Sequence, residues 1–544
     1  MEINCRHFKY LELVLLTFYA VAFYVILIRR SLHLSHEYLV WHGSATPRNF
    51  VQGWLWGRPN DLTDSQWRNF RGNLPILTVV MGVFTFVANT LRSSFQLKGR
   101  GMSIVWLIIS LSYLAYLHGA CILFILSIAS GNFILVKIFA YSKLFPCILW
   151  IYNLSFLICN RIYEGYSFSS IGQNWAILDS YRGTFRWHIC YNLVVLRMIS
   201  FGCDYHWVYR ASRIDHKKHT QNCSTCSLGK ACYHLLQEKS VPMERFSFVT
   251  YLCYLIYAPL YIAGPIASFN AFSSQLDLPQ KTHSVKNIIC YGVRWVLNLL
   301  LMELMTHLFY YNALATSGFW RHSSAFETFV IGYGVLNFMW LKFLLIWRYF
   351  RFWALMGGVE APENMPRCIN NCYSLEDFWK GWHSSFNKWL VRYIYIPLGG
   401  ARRKLLIVWV VFTFVAIWHD LEWKLLSWAW LTCFLWVPEI LVKLAMTNIQ
   451  AKGMFSQLIL RELSAMIGAF TITGLMITNL VGYVIGPAGL DWLKSRMLKP
   501  DGLPVLGSIY FTFYVGTKIM FHIREAKRKS PNGLIGSERK RNVM

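Results

Sequence analysis

Leu405-Leu406-Ile407-Val408-Trp409-Val410-Val411-Phe412-Thr413-Phe414-Val415-Ala416-Ile417-Trp418-His419 runs without a charge from the cations Arg402, Arg403 and Lys404 to a histidine. A helix with no polar face is buried on all sides or stands in lipid. Comparable apolar runs recur at 11–28, 73–92, 103–127, 133–159, 246–270, 286–312, 326–347, 425–446, 463–486 and 504–522. Segment 188–207 is amphipathic and reads as a span or a re-entrant helix. At roughly 20 residues per crossing, the pattern predicts an all-α polytopic membrane protein of about 11 spans. Long unbroken runs do not fit the alternating strands of a membrane barrel.

Composition agrees. Of 544 residues, 55% are hydrophobic, 17% aromatic and only 15% charged, too few to cover a soluble surface. The same figures exclude a disulfide scaffold, a disordered chain and collagen. The 14 cysteines are scattered, several inside apolar runs, and predict no disulfide framework. The first run follows Arg6 and Lys9 without a small-residue cleavage site, so it reads as a signal anchor. Residues 1–72 then form the anchor and a juxtamembrane loop, 73–523 the membrane core, and 524–544 a basic tail. No internal repeat or low-complexity segment is visible.

The net charge is +27. In a soluble protein this would point to nucleic acid; here it reads as the excess of cations in cytoplasmic loops, and no nucleic acid is expected. Segment 206–245 carries seven cations against three acids, and 347–404 nine basic residues against four acids. Both, with the tail, are placed on the cytoplasmic side. The surplus also suits anionic headgroups or a phosphorylated cofactor.

Ionisable groups inside a membrane are functional candidates. A helix starting at Lys404 carries His419 about 22 Å inward, into the far part of the bilayer. Two readings stand there: an interfacial histidine beside a tryptophan belt, or a desolvated imidazole kept neutral as a general base. In Phe378-Trp379-Lys380-Gly381-Trp382-His383-Ser384-Ser385-Phe386-Asn387-Lys388-Trp389, helical spacing puts Trp379, His383 and Asn387 on one stripe. Lys380, Ser384, Lys388 and Arg392 form the next stripe. An amphipathic surface helix explains the lysines but explains His383 less well. Pro397-Leu398-Gly399-Gly400 precedes Arg402, Arg403 and Lys404, which serve either as a phosphate holder or as a positive-inside anchor.

Trp382 to Trp389, followed by Val391-Arg392-Tyr393-Ile394-Tyr395-Ile396-Pro397-Leu398-Gly399-Gly400, resembles the signature of the membrane-bound O-acyltransferase (MBOAT) family. Phe412 to Asp420 resembles its catalytic-histidine segment. Three further stretches are similar to the glycerol uptake protein subgroup, close to hedgehog acyltransferase. They are Gly53-Trp54-Leu55-Trp56-Gly57-Arg58 with Asp64-Ser65-Gln66, Tyr257 to Ile266, and Pro362-Glu363-Asn364-Met365-Pro366-Arg367-Cys368. The resemblance covers nearly the whole chain from about residue 50.

The resemblance implies a tunnelled fold in the endoplasmic reticulum membrane, with long-chain acyl-CoA as cytosolic donor and a lyso-GPI lipid as acceptor. His419 takes the catalytic-histidine position and His383 the second active-site position, where other members carry Asn or Asp. Asn387, or His383 itself, would serve the oxyanion. Lys388, Arg392, Arg402, Arg403 and Lys404 would contact the phosphates of CoA. Cys368 sits in a Pro-Arg-Cys context like that of a haem-ligating cysteine; a haem b is one reading and an ordinary loop cysteine the other.

Cys223-x2-Cys226-x5-Cys232-x-His234, preceded by His216 and His219, offers metal ligands without the spacing of a standard finger. Palmitoylated or free thiols are the favoured reading and zinc the lesser one. Lys137, Arg197 and Lys342 read as packing or headgroup contacts. The alternative functions are a solute transporter, disfavoured by the lack of repeats, a protein acyltransferase of the hedgehog type, which the motifs do not separate from a lipid acylator, and a silent scaffold, disfavoured by the two histidines.

Overall fold

The computed structural model describes residues 2–43, 47–209, 223, 225–229, 231–277, 279–280, 282–447 and 454–529. His216, His219 and residues 530–544 lie outside them. The principal helices are α1 (Glu2–His42), α2 (Ser65–Ser94), α3 (Arg100–His118), α4 (Ile122–Phe139), α5 (Phe145–Ile162), α6 (Trp187–Tyr209), α7 (Tyr233–Glu238) and α8 (Phe248–Ile256). They continue as α9 (Val285–Leu308), α10 (Ala325–Met356), α11 (Leu375–Gly381), α12 (Ser384–Leu390), α13 (Lys404–His419), α14 (Trp423–Thr447), α15 (Met454–Leu480) and α16 (Leu503–Lys529). The one sheet among the described residues is an antiparallel pair, β1 (Phe50–Val51) with β2 (Asn60–Asp61).

Among the described residues, nine helices are long and apolar enough to cross a membrane: α1–α5, α9, α10, α14 and α15. The protein is therefore an all-α, multi-pass membrane protein. The run 405–419 forms α13, of 16 residues, and 504–522 lies within α16.

Three runs differ from the expected spans. The stretch 103–127 ends as a helix at His118, because Gly119 turns to φ 56 with the Tyr181 carbonyl against it; a Cβ there would lie 2.0 Å from that oxygen. The stretch 133–159 divides between α4 and α5, where Pro146 opens the second helix. The stretch 246–270 is no single span. Its helix stops at Ile256, turns briefly over Ala258–Tyr261, and then runs without regular structure through Gly264-Pro265.

Freed carbonyls at membrane depth need donors from within the protein. Arg197 of α6 supplies them: its Nη1 donates to the Leu255 carbonyl at 2.6 Å and its Nη2 to the Leu260 carbonyl. α6, expected to be amphipathic, is instead buried from Cys190 to His206, with Asn192, Arg197, Ser200 and Asp204 all hydrogen-bonded. Arg197→Met should leave two buried carbonyls without donors, each costing about 1–3 kcal/mol. A fall in the thermal midpoint of the detergent-solubilised protein checks this; an unchanged midpoint would contradict the assignment.

The amino-terminal helix extends past the apolar run to His42, well into the expected 29–72 loop. The buried Ser31 and Ser35 accept hydrogen bonds from the Tyr311 hydroxyl (2.8 Å) and the Tyr310 amide (3.1 Å), docking this extension on the core. Its earlier turns pair with α16, Lys9 with Glu525 at 3.1 Å and Tyr19 with Thr512 at 2.9 Å. Helix α16 in turn runs through 524–529, so the basic tail begins as helix. The charged span residues make packing contacts: Lys342 meets Asp64 at 2.8 Å, and Lys137 stands 4.5 Å over the Tyr205 ring.

Candidate active site

The helix of residues 378–389 is interrupted. α11 ends at Gly381, α12 starts at Ser384, and His383 between them takes φ 44 and ψ 48. A left-handed conformation at a residue other than glycine persists only where the surroundings impose it. Asn364 imposes it here. Its carbonyl accepts the Ser384 N–H at 3.0 Å and its side-chain oxygen accepts the Ser385 N–H at 3.0 Å, capping α12 from a loop twenty residues upstream. The Ser385 hydroxyl accepts the Ile266 N–H at 2.9 Å. The stretches 257–266, 362–368 and 382–400 thus meet beside one histidine.

The His383 ring stacks on Trp347 of α10, centroids 4.4 Å apart and planes 7° from parallel. On another side it lies 6.1 Å from the Trp418 ring, and Trp418 lies 4.9 Å from His419. The two imidazoles therefore flank one indole. His419 forms the last residue of α13, as the sequence predicts. Its ring also faces Trp428 at 6.2 Å and Tyr483 at 6.3 Å. Among the described residues neither imidazole has a hydrogen-bond partner, so their nitrogens are available to a substrate.

Backbone contacts hold the end of α13. Arg161 donates to the carbonyl of His419 at 2.7 Å, and Asn192 to that of Trp418 at 2.8 Å. The Trp418 indole N–H donates back to the Asn192 carbonyl at 3.0 Å. A cation at a helix C-terminus is favoured by the exposed carbonyl dipoles. Tyr483 sits in a π-turn, Val481–Ile485, and a second π-turn, Val391–Tyr395, follows α12. Such turns concentrate at functional sites. Gly482 lets Trp428 approach closely: a Cβ there would lie 2.7 Å from the indole.

A cavity of about 470 Å³ opens between α1, α10, α15 and α16. Among the described residues its lining includes no charged side chain, and its wall includes Trp382, Trp428 and Tyr483, the last two being rings against His419. Neither His383 nor His419 is in that lining; His419 reaches the cavity wall only through Trp428 and Tyr483, and the apolar lining itself is of the kind that takes a hydrocarbon chain.

The family described as membrane-bound O-acyltransferase (MBOAT) matches residues 134–482, a stretch that holds both histidines. The chain belongs to the MBOAT family. Membrane-bound O-acyltransferase gup1 of Schizosaccharomyces pombe is 34% identical over 87% of this chain and 81% of its own length. Membrane-bound O-acyltransferase GUP1 of Saccharomyces cerevisiae is 34% identical over 89% of this chain and 85% of its own. A mouse relative, protein-cysteine N-palmitoyltransferase HHAT, is 29% identical over 48% and 56%. The protein is an acyltransferase of this MBOAT class.

The remaining candidates of this MBOAT chain separate. Asn387 lies half-buried on α12, its backbone N–H donating to the His383 carbonyl at 3.1 Å. Lys388, Arg402 and Arg403 are exposed and Lys404 is partly so. Arg392 is a correction: it is buried, pairs with Asp204 at 3.3 Å and with Glu238, and lies 4.9 Å over Trp207. Its charge is already neutralised by two carboxylates, which removes it from the phosphate set. Cys368 borders the apolar cavity. Its thiol and the aromatic walls suit a haem, but the lining offers no cation for the two propionates, so haem fits poorly and takes no part in the chemistry below. The thiols of Cys223, Cys226 and Cys232 lie within 4.8 Å of one another.

The sequence does not single out Arg161, Asn192 or Trp347, and it marks Asn364 only as part of the stretch 362–368. Each acts across a long separation, and only the polarity of Asn192 within an apolar stretch could have flagged one of them.

Proposed function

We propose that this acyltransferase moves a fatty acyl chain from acyl-CoA to a hydroxyl of a lyso-GPI anchor lipid in the endoplasmic reticulum membrane. The observation that carries the reading is the placement of His419 at a helix end, packed on the Trp428 and Tyr483 rings that line an apolar cavity and across one indole from His383. The O-acyltransferase names of the yeast relatives support a hydroxyl acceptor.

In this mechanism the His419 imidazole takes the hydroxyl proton as the oxygen attacks the thioester carbonyl. The tetrahedral intermediate collapses, the carbon–sulfur bond breaks, and the proton passes to the departing CoA thiolate. His383 or Asn387 donates a hydrogen bond to the oxyanion. Lys388, Arg402, Arg403 and Lys404 hold the phosphates of CoA outside the cavity.

His383→Ala is expected to lower kcat by about 10²–10³, the usual cost of one oxyanion donor. His383→Asn should fold normally, since asparagine tolerates the left-handed backbone, and keep more activity because its amide N–H also donates. Equal activity in both variants and the wild type would remove His383 from the chemistry.

The mouse relative favours a second reading, in which a peptide is the acceptor. Purified protein given labelled acyl-CoA with lyso-GPI or with a peptide bearing N-terminal cysteine separates the two. The proposal expects label on the lipid; label on the peptide alone overturns it.

A further inference from the structure

We propose that Cys223, Cys226 and Cys232 form a structural zinc site that staples the loop after α6 to α7, the helix whose Glu238 pairs with Arg392, with His234 as fourth ligand. Three thiolates on tetrahedral zinc at about 2.3 Å stand roughly 3.8 Å apart. The three sulfurs already lie within 4.8 Å of one another, so binding needs only a small closure.

The segment is built to bring them together. The Ser227 N–H donates to the Cys223 carbonyl at 2.9 Å and the Gly229 N–H to that of Cys226 at 3.0 Å, with Gly229 at φ 74. This tight turn puts the first two sulfurs on one side. The third sulfur belongs to the N-cap of α7, where it accepts the Leu235 N–H at 3.4 Å. His234 stands in the first turn of that helix, on the solvent side. Each cysteine releases its thiol proton to solvent as the metal binds, and the imidazole binds neutral.

The staple has something to hold. The Tyr233 hydroxyl accepts the Ser268 N–H at 3.1 Å, Lys388 stands 5.8 Å over the Tyr233 ring, and Glu238 pairs with Arg392. A helix of six residues has little stability of its own. A metal at its first turn fixes the position of all three contacts.

The full-length protein, purified in detergent without chelator, should contain one equivalent of zinc by elemental mass spectrometry. Cys226→Ser should lose it, and Cys226→His, which restores a ligand, should regain it. Exchange with cadmium should produce the ultraviolet thiolate-to-cadmium band in the wild-type protein, which needs no variant to fold. Zinc retained by Cys226→Ser would overturn the proposal. So would three thiols that alkylate freely in metal-free wild-type protein, or a hydroxylamine-labile acyl chain on any of the three.

Discussion

His419→Ala should lose about 10²–10⁴ of kcat/KM toward the acyl acceptor, the usual worth of a positioned general base. The backbone should stay in place, because Arg161 and Asn192 hold the carbonyls of His419 and Trp418 and not the imidazole. The ring packs against the Trp418, Trp428 and Tyr483 rings, so its removal leaves a gap beside them. The comparison is made on purified protein with labelled acyl-CoA, at matched protein level and matched thermal midpoint. Acceptor acylation close to wild type would remove the base from the account. Arg161→Met should act differently: it frees the end of α13, so activity and thermal stability fall together.

Asp204→Ala should be the most damaging change to stability away from the chemistry. The carboxylate accepts hydrogen bonds from Arg392 at 3.3 Å, from the Tyr393 hydroxyl at 3.1 Å and from the Asn270 amide at 3.1 Å, all in the buried interior. Taking one partner from a buried ion pair costs about 3–5 kcal/mol, since the other charge stays behind. Glu238 still faces Arg392, which places the expected loss near the lower end. The double variant Asp204→Ala with Arg392→Met should recover part of it by removing the stranded charge. Melting curves of the three variants test this. If Arg392 instead gripped CoA, Asp204→Ala would leave the midpoint unchanged and alter only KM for the donor.

The apolar runs made the helices readable because lipid demands a length and a composition that few soluble helices share. They failed where protein replaces lipid as the surrounding. The run 246–270 is as apolar as a span, yet Arg197, fifty residues earlier, satisfies its broken backbone and lets it bend. Likewise α6 looks two-faced in sequence because its polar residues meet partners on every side. The two histidines were legible through their neighbours in the chain. Their supports were not: Asn364 caps α12 through its backbone and amide, and Trp347 contributes only a flat face, which no spacing announces. Arg392 was misread because local sequence shows a cation beside others, whereas its partners Asp204 and Glu238 come from α6 and α7.

The decisive measurement is mass spectrometry of GPI lipids from cells lacking the protein and complemented with the wild-type chain or with His419→Ala. Acylated anchors should return with the wild type, while cells carrying the variant keep the lyso form. Full restoration by His419→Ala at equal expression, or identical lipids in all three strains, would contradict an acyl transfer centred on that imidazole.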